Sequence, residues 1–328
     1  MKKIAALIHN NAAGPVPSRS LLSRAVRELE RGGWEIDVYE PEEGQSITEL
    51  AKNAVLQNKD AVFVAGGDGT VGTVAAALAG SETSLGVLPA GTANVWAQEL
   101  GLRGLDWIHL YALEEAARRL VEGSIRKVDV GVCNDLAFLM WTGIGLDAQV
   151  VSALEPRERW EKTFGMAHYA SQALVSTMKY IGVPMRVSSG DRTWERRFIM
   201  AIASNIRSYA GGIVELSPEA KVDDGLLDFW LFEGKNMADA LWIVLQILRG
   251  DLNERPGVVH FQASEANFEA EEKLTVHMDG EPHQMEPPLN FSVKHKSLKV
   301  ICPAERPHPL YAALHLPDSP GRTGASES

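Results

Sequence analysis

Ala61-Val-Phe-Val-Ala-Gly-Gly-Asp-Gly-Thr70 is the stretch on which the reading of this chain turns. Residues 61–65 are apolar, with two β-branched valines, and read as a short buried strand. Gly66-Gly67-Asp68-Gly69-Thr70 breaks that strand sharply, and the Ala- and Val-rich run at 71–80 reads as a helix. Strand, glycine turn and helix together can set backbone N–H groups and a helix N-terminus against a phosphate. Gly66, Gly67 and Gly69 permit positive φ and leave no Cβ in a ligand's path. Asp68 among donors aimed at a polyanion would repel it unless a cation or proton intervenes. It is therefore easiest to place beside Mg²⁺ or a lysine, or as a base. The structural alternative is a glycine-rich turn with an Asx cap.

A second strand end follows in Leu85-Gly-Val-Leu-Pro-Ala-Gly-Thr-Ala-Asn94. Thr92 and Asn94 stand where a new helix would begin, as helix caps or as ligand donors. Parallel α/β sheets bind ligands outside their carboxyl strand ends, so two such turns in one sheet point to a ligand site.

Residues 1–123 alternate strands (3–8, 34–39, 60–65, 84–88) with helices (18–31, 46–57, 71–80, 93–100, 107–122) in a doubly wound α/β pattern. Ser46-Ile-Thr-Glu49 is a capping box for the second helix. From 124 to 302 the texture turns strand-rich, at 125–133, 136–142, 184–190, 194–204, 225–232, 257–268, 273–278 and 289–302, and predicts an antiparallel β-sandwich. Helices are expected near 147–152, 159–180 and 236–249. The segment 303–328 is expected to pack back on the first domain and then to lose order.

The chain has 328 residues, 45% hydrophobic and 23% charged, an ordinary globular composition. A net charge of −11 argues against nucleic acid and against broad electrostatic attachment to anionic lipid. Cys133 and Cys302 form no metal or redox pattern, which suits a reducing cytoplasm. The N-terminal apolar run Ile4–Ile8 is too short for a signal-peptide core, and no apolar run approaches the ~20 residues that span a bilayer. Of the nine histidines, His9, His168, His260, His277 and His283 do not fall at metal spacing.

The two glycine motifs together resemble the catalytic domain of diacylglycerol kinases and their bacterial lipid-kinase relatives, a domain that sphingosine and ceramide kinases share. The resemblance continues through Thr142-Gly-Ile-Gly-Leu-Asp147, Phe164-Gly-Met-Ala-His-Tyr169, Ala203–Gly212, Pro218–Asp228 and Met278-Asp-Gly-Glu-Pro282, in family order, over roughly 1–305. It implies a kinase that uses ATP and Mg²⁺ to phosphorylate a lipid at a membrane surface, cytoplasmic and only transiently attached. A homodimer is compatible with it. By this resemblance Asn10, Gly66, Gly67, Asp68, Gly69, Thr70, Thr92 and Asn94 bind the nucleotide, and Asp68 also belongs to the catalytic group. Glu281 matches the general base. Lys221, Asp224 and Leu226 match positions that hold Mg²⁺ through one carboxylate and two backbone carbonyls, hard oxygen ligands suited to that ion.

Two departures stand out. Near the first strand end Ala13 replaces the usual serine, and the lysine that follows it in the family is absent. After Asn94, Val95-Trp-Ala-Gln98 stands where many diacylglycerol kinases have an acid, an aromatic, an alanine and an arginine. Val95 and Trp96 either line an apolar lipid entrance or pack beneath the sheet. For membrane contact, Leu241–Leu248 and the helix bearing Trp160, Phe164 and Tyr169 are the candidates, with core packing the competing fate of the first. An NAD kinase shares Gly-Gly-Asp-Gly-Thr but wants an Asn-Glu pair earlier than Asn253-Glu254. A catalytically weak lipid or nucleotide sensor is the third reading.

Overall fold

The computed structural model describes residues 2–10, 19–41, 45–146, 182–249, 252, 256–304 and 310–311. The helices expected at 147–152 and 159–180, with Trp160, Phe164 and Tyr169, lie outside the described residues, as do Ala13 and most of 303–328.

Four parallel strands form the first sheet: β1 (Lys3–His9), β2 (Trp34–Tyr39), β3 (Ala61–Gly66) and β4 (Ser84–Pro89), in the order β4–β3–β1–β2. β3 and β4 are buried along their whole length, as a strand covered on both faces must be. The intervening helices are α1 (Arg19–Arg31), α2 (Ile47–Leu56), α3 (Asp68–Leu78), α4 (Val95–Glu99) and α5 (Ala112–Val121). Ser46 caps α2 as its sequence predicts, with the Glu49 N–H donating to Ser46 Oγ at 3.4 Å. α3 begins at Asp68 rather than at residue 71. Gly67 takes the extended N-cap conformation (φ −95°, ψ −177°), so Asp68 falls in the first turn, where a negative charge suits the helix dipole.

The second layer contains β5 (Ser124–Cys133), β6 (Leu136–Phe138), β7 (Trp141–Gly145), β8 (Val183–Ser189), β9 (Arg192–Ser204), the short pair β10 (Ser208–Tyr209) and β11 (Val214–Glu215), and β12 (Leu227–Glu233). α6 (Met237–Arg249) follows, then β13 (Val258–Ala263), β14 (Glu265–Glu269), β15 (Leu274–Met278), β16 (Glu281–Met285) and β17 (Leu289–Cys302). Two long strands turn the corners. β9 pairs with β8 through its first half and with β7 and β12 through its second. β17 pairs with β14 near its start, then runs parallel to β4 at Lys299 and Val300, with β5 along its other side. The domains therefore share a β5–β17 ribbon, and the passage from one to the other is spread along two strands. Stacked and edge-on rings of Trp194, Phe229, Phe261, Phe268 and Phe291 fill the second core.

Leu310 and Tyr311 are buried with the first core. The Leu310 carbonyl accepts from Val222 N–H at 3.0 Å, and Tyr311 Oη lies 2.8 Å from Cys302 Sγ. Burial pushes the Cys133 thiol up to about 12 and that of Cys302 to about 11, so both are unreactive near neutrality.

Asp129, fully buried on β5, joins three segments. Its carboxylate accepts from Gly225 N–H at 2.6 Å and from Lys296 N–H at 2.6 Å, and lies 2.8 Å from His295 Nδ1. Asp129→Ala removes the partner of both amides at once. We expect a loss on the order of 2–4 kcal/mol, read by urea denaturation.

Candidate active site

Two loops meet at the carboxyl ends of β3 and β4. The N–H groups of Ala90 and Gly91 both donate to Gly66 O at 3.1 Å. A Cβ on Gly67 would stand 3.3 Å from Gly91 Cα, and one on Gly91 would overlap Gly67 Cα. Glycine is required at 91 so that the two backbones can touch. Asn10, at the end of β1, donates from Nδ2 to Thr70 Oγ1 at 3.0 Å, while its own N–H donates to Ala65 O at 3.0 Å. Asn10, the 66–70 turn and the exposed Thr92 therefore converge on one rim of the sheet.

Not every residue of these motifs faces a ligand. Asn94 is buried in the left-handed region (φ 54°), and its amide is spent on Gly91. Oδ1 accepts from Gly91 N–H and Nδ2 donates to Gly91 O, both at 2.8 Å. Asp68 turns toward the second loop, where Oδ1 accepts from Trp96 N–H at 3.2 Å. Burial raises its pKa, against the amides of Val95, Trp96 and Asn94, which lower it. Val95 and Trp96 are buried in the first core, which answers the alternatives left open for them in favour of packing.

The second domain supplies the facing wall. The β15–β16 hairpin turns on Asp279 (φ 49°) and Gly280 (φ 90°), the left-handed pair that an Asp-Gly hairpin prefers. Asp279 is buried. Its Oδ2 accepts from Leu139 N–H at 2.7 Å, and its Oδ1 accepts from Met140 N–H at 2.8 Å and Trp141 N–H at 3.2 Å. It also presses on α3, because a Cβ on Gly72 would stand 2.5 Å from Asp279 Oδ2. Glu281, the next acid, is exposed over the first turn of that helix. Its Oε1 lies 3.3 Å from Thr73 Oγ1, whose hydroxyl donates to Gly69 O at 2.8 Å, and 3.8 Å from where a Gly69 Cβ would be. The structure thus brings Glu281 to the glycine turn across the domain boundary.

A second contact locks the same boundary. Buried Glu99 of α4 accepts from Arg207 Nε and Nη2 at 3.2 Å and from Ser208 N–H at 2.7 Å. Gln98 packs on Gly212, where a Cβ would fall 2.7 Å from Gln98 Oε1. Asp279, Thr73, Glu99 and Arg207 were not singled out from the sequence as site residues. The hairpin signal at 279–280 marks the turn, but burial of its carboxylate depends on contacts with residues 72 and 139–141, far away in the chain.

Lys221, Asp224 and Leu226 form a separate group. Asp224 Oδ1 accepts from Leu226 N–H at 3.0 Å. Partial burial raises the Asp224 pKa, and the charges of Asp129, Asp228 and Asp223 add to it. A hard cation on the Asp224 carboxylate and the carbonyls of Lys221 and Leu226 would relieve that repulsion, so these residues fit Mg²⁺ by donor chemistry. No cluster of three His, Cys, Asp or Glu arranged for a metal occurs among the described residues. A cavity of about 520 Å³ lies at the opposite, amino end of the sheet, lined by Lys3, Trp34, Lys59 and Lys299. Lys59 pairs with Asp37 and Lys299 with Glu82, so this cavity offers neither a free cation from that pair nor any of the motif residues.

Burial raises the Asp279 pKa from 3.8 to about 6. The folded protein then holds a proton that the unfolded chain releases, so this group's contribution to stability falls as pH rises from about 4 to about 6. The full change is on the order of 3 kcal/mol. In urea titrations from pH 4 to 7, the stability difference between the parent and Asp279→Asn should change by about that amount across the window. A pH-independent difference would show that Asp279 does not titrate there.

The model of the "Diacylglycerol kinase catalytic domain" matches residues 4–133, and that of the "YegS C-terminal NAD kinase beta sandwich-like domain" matches 141–302. The Bacillus subtilis (strain 168) diacylglycerol kinase is 24% identical over 310 residues, covering 94% of this chain and 99% of the relative. The Staphylococcus aureus (strain MRSA252) diacylglycerol kinase is 27% identical over 305 residues, covering 92% and 93%. A crystal structure of a putative diacylglycerol kinase from Bacillus anthracis str. Sterne has the same fold, with a TM-score of 0.72 at 24% identity over 92% of this chain and 98% of that one. With the paired glycine loops at the strand ends and both domains matched in order, the chain belongs to the diacylglycerol kinase catalytic-domain family, whose members are phosphotransferases with an alcohol acceptor.

Proposed function

We propose that this protein transfers the γ-phosphoryl group of ATP to a lipid hydroxyl, with diacylglycerol or a related lipid as acceptor. The observation that carries the reading is the position of Glu281, an exposed carboxylate from one domain set against Gly69 and Thr73 of the other. The Gly66–Thr70 turn and Thr92 offer N–H and hydroxyl donors to the nucleotide phosphates, with Asn10 orienting Thr70. Glu281 takes the proton of the lipid alcohol as its oxygen bonds to the γ-phosphorus, while the bond to the β,γ-bridging oxygen breaks and ADP leaves. Mg²⁺ bound with ATP would neutralise charge on the β- and γ-phosphates. A second Mg²⁺ would be held at Asp224 with the carbonyls of Lys221 and Leu226, steadying the 221–226 turn. Asp68 and Asn94 serve by shaping the two loops.

No helix among the described residues is long and apolar enough to cross a membrane. We place the protein in the cytoplasm, attached to the bilayer peripherally and transiently. The familial acid and arginine replaced here by Val95 and Gln98 leave the identity of the lipid to experiment. Labelled ATP with diacylglycerol, monoacylglycerol, sphingosine, ceramide and phosphatidylglycerol in mixed micelles should yield a labelled lipid. Label on a soluble NAD control alone would overturn the reading.

Glu281→Gln should lower turnover by roughly 10²–10⁴-fold with ATP affinity nearly unchanged. Normal turnover in that variant would remove Glu281 from the mechanism. Gly67→Val should weaken ATP binding itself, measured by calorimetry, because a branched side chain there meets Gly91.

A further inference from the structure

We infer that Trp107-Ile-His-Leu-Tyr111 is the segment by which this protein enters a bilayer surface, an inference that rests on the lipid-kinase reading above. Trp107 is 69% exposed, Ile108 86%, Leu110 38% and Tyr111 65%. They are four of the eleven exposed large hydrophobic side chains among the described residues, gathered in five consecutive positions. Contiguous exposed apolar groups mark interaction sites more often than scattered ones do.

The segment is built rather than slack. Asp106 Oδ1 accepts from Ile108 N–H and His109 N–H, both at 2.7 Å, and the carboxylate also holds the His109 ring, with Oδ2 2.8 Å from Nδ1. This turns the acid back on its own loop and presents Trp107 and Ile108 outward. Tyr111 lies under the Arg24 guanidinium, 5.0 Å from its ring centre, and Arg103 is exposed nearby in sequence. Apolar tip, interfacial aromatics and flanking guanidinium groups match the depth profile of a lipid surface, with its acyl chains, interface and phosphates.

Its place in the fold serves the reaction. Leu105 N–H donates to Pro89 O at 2.9 Å, and a Cβ on Gly104 would stand 2.7 Å from Asn94 Nδ2. The knuckle therefore springs from the rim that carries the glycine loops, and α5 runs from it toward the amino end, where Val121 meets Gly32. Insertion there would bring the nucleotide rim close to the bilayer that contains the acceptor. A second copy of the chain is a poorer occupant. The apolar surface offered is on the order of 500 Å², below the roughly 800 Å² per partner of a stable interface. α6 also exposes Trp242 (53%) and Leu245 (46%), but no guanidinium is stacked there among the described contacts, and it packs on β9 and β12 of the second domain, not on the glycine-loop rim.

The test is co-sedimentation of the full chain with vesicles of phosphatidylcholine and phosphatidylglycerol, without ATP or diacylglycerol. The parent should bind, and binding should persist in high salt. The Trp107→Ser/Ile108→Ser pair should lower the bound fraction about tenfold or more, while Trp242→Ser/Leu245→Ser binds as the parent does. Quenching by brominated lipid should be reduced in Trp107→Phe. Unchanged melting of the Ser pair, and unchanged phosphoryl transfer in detergent micelles, separate loss of docking from loss of fold or chemistry. Parental binding by the 107/108 pair, loss of binding in the 242/245 pair alone, or a dimer that dissociates in the 107/108 variant while vesicle binding persists would each overturn the inference. Absence of lipid phosphorylation by the parent would strike the kinase reading, whatever the vesicles show.

Discussion

A buried carboxylate sets the geometry of this protein's cleft. Asp279 accepts three backbone N–H groups from residues 139–141 and presses on Gly72 of α3. Charge-assisted hydrogen bonds to a buried acceptor are strong, and losing them strands several donors at once. The turn that carries Glu281 is therefore pinned to both domains one residue pair before the acid that faces the site. Glu99, with Arg207 and Ser208, does the same on the other loop. The cleft is closed at two points by acids whose whole capacity is used in holding backbone and guanidinium.

This divides the labour among carboxylates that look alike in the chain. Asp68 is half-buried and Asp279 buried, both bonded to amides, Asp129 ties β5 to Gly225 and Lys296, and Glu281 is exposed. Asp279, buried and bonded to three N–H groups, and Asp68, turned to the amides of α4, have no carboxylate oxygen aimed at a substrate hydroxyl. In the proposed mechanism the base role is given to Glu281, which is exposed at the cleft. Asp68, placed in the sequence reading beside a cation or as a base, is rationalised instead by the amides of α4, which resolve the apparent conflict of a carboxylate in an anion-binding turn.

The parallel sheet was legible because β3 and β4 are short apolar runs ended by glycine and proline, and the helix cap at Ser46 because both partners are local. The Asp-Gly hairpin was legible for the same reason. What depends on distant contacts was not. The 257–268 run divides into β13 and β14, and β16 spans Glu281–Met285, a stretch to which the sequence reading assigned no strand. Apolar alternation marks strands but does not say where one leaves a layer, so the corners in β9 and β17 were invisible. Among the site residues, those of the first glycine turn and Asn10 meet as the motifs suggest, and Glu281 joins them. Asn94 keeps its place but turns its amide inward, a distinction set by its left-handed backbone and by the packing of Gly104.

In the proposed mechanism the nucleotide phosphates meet neutral donors, the backbone amides of the glycine turn with Thr70 and Thr92, Asn10 holding Thr70, in a chain with a net charge of −11. A polyanion held by neutral donors depends on a cation that arrives with it, and repulsion by the surrounding acids must be overcome locally. The same charge balance limits how such a protein can approach an anionic bilayer, because long-range attraction is weak or adverse. Contact then has to come from short-range burial of apolar side chains at a defined point. The knuckle at Trp107–Tyr111 supplies that point by apolar burial, with Arg24 and Arg103 beside it to meet lipid phosphates locally, so attachment does not depend on the net charge of the chain.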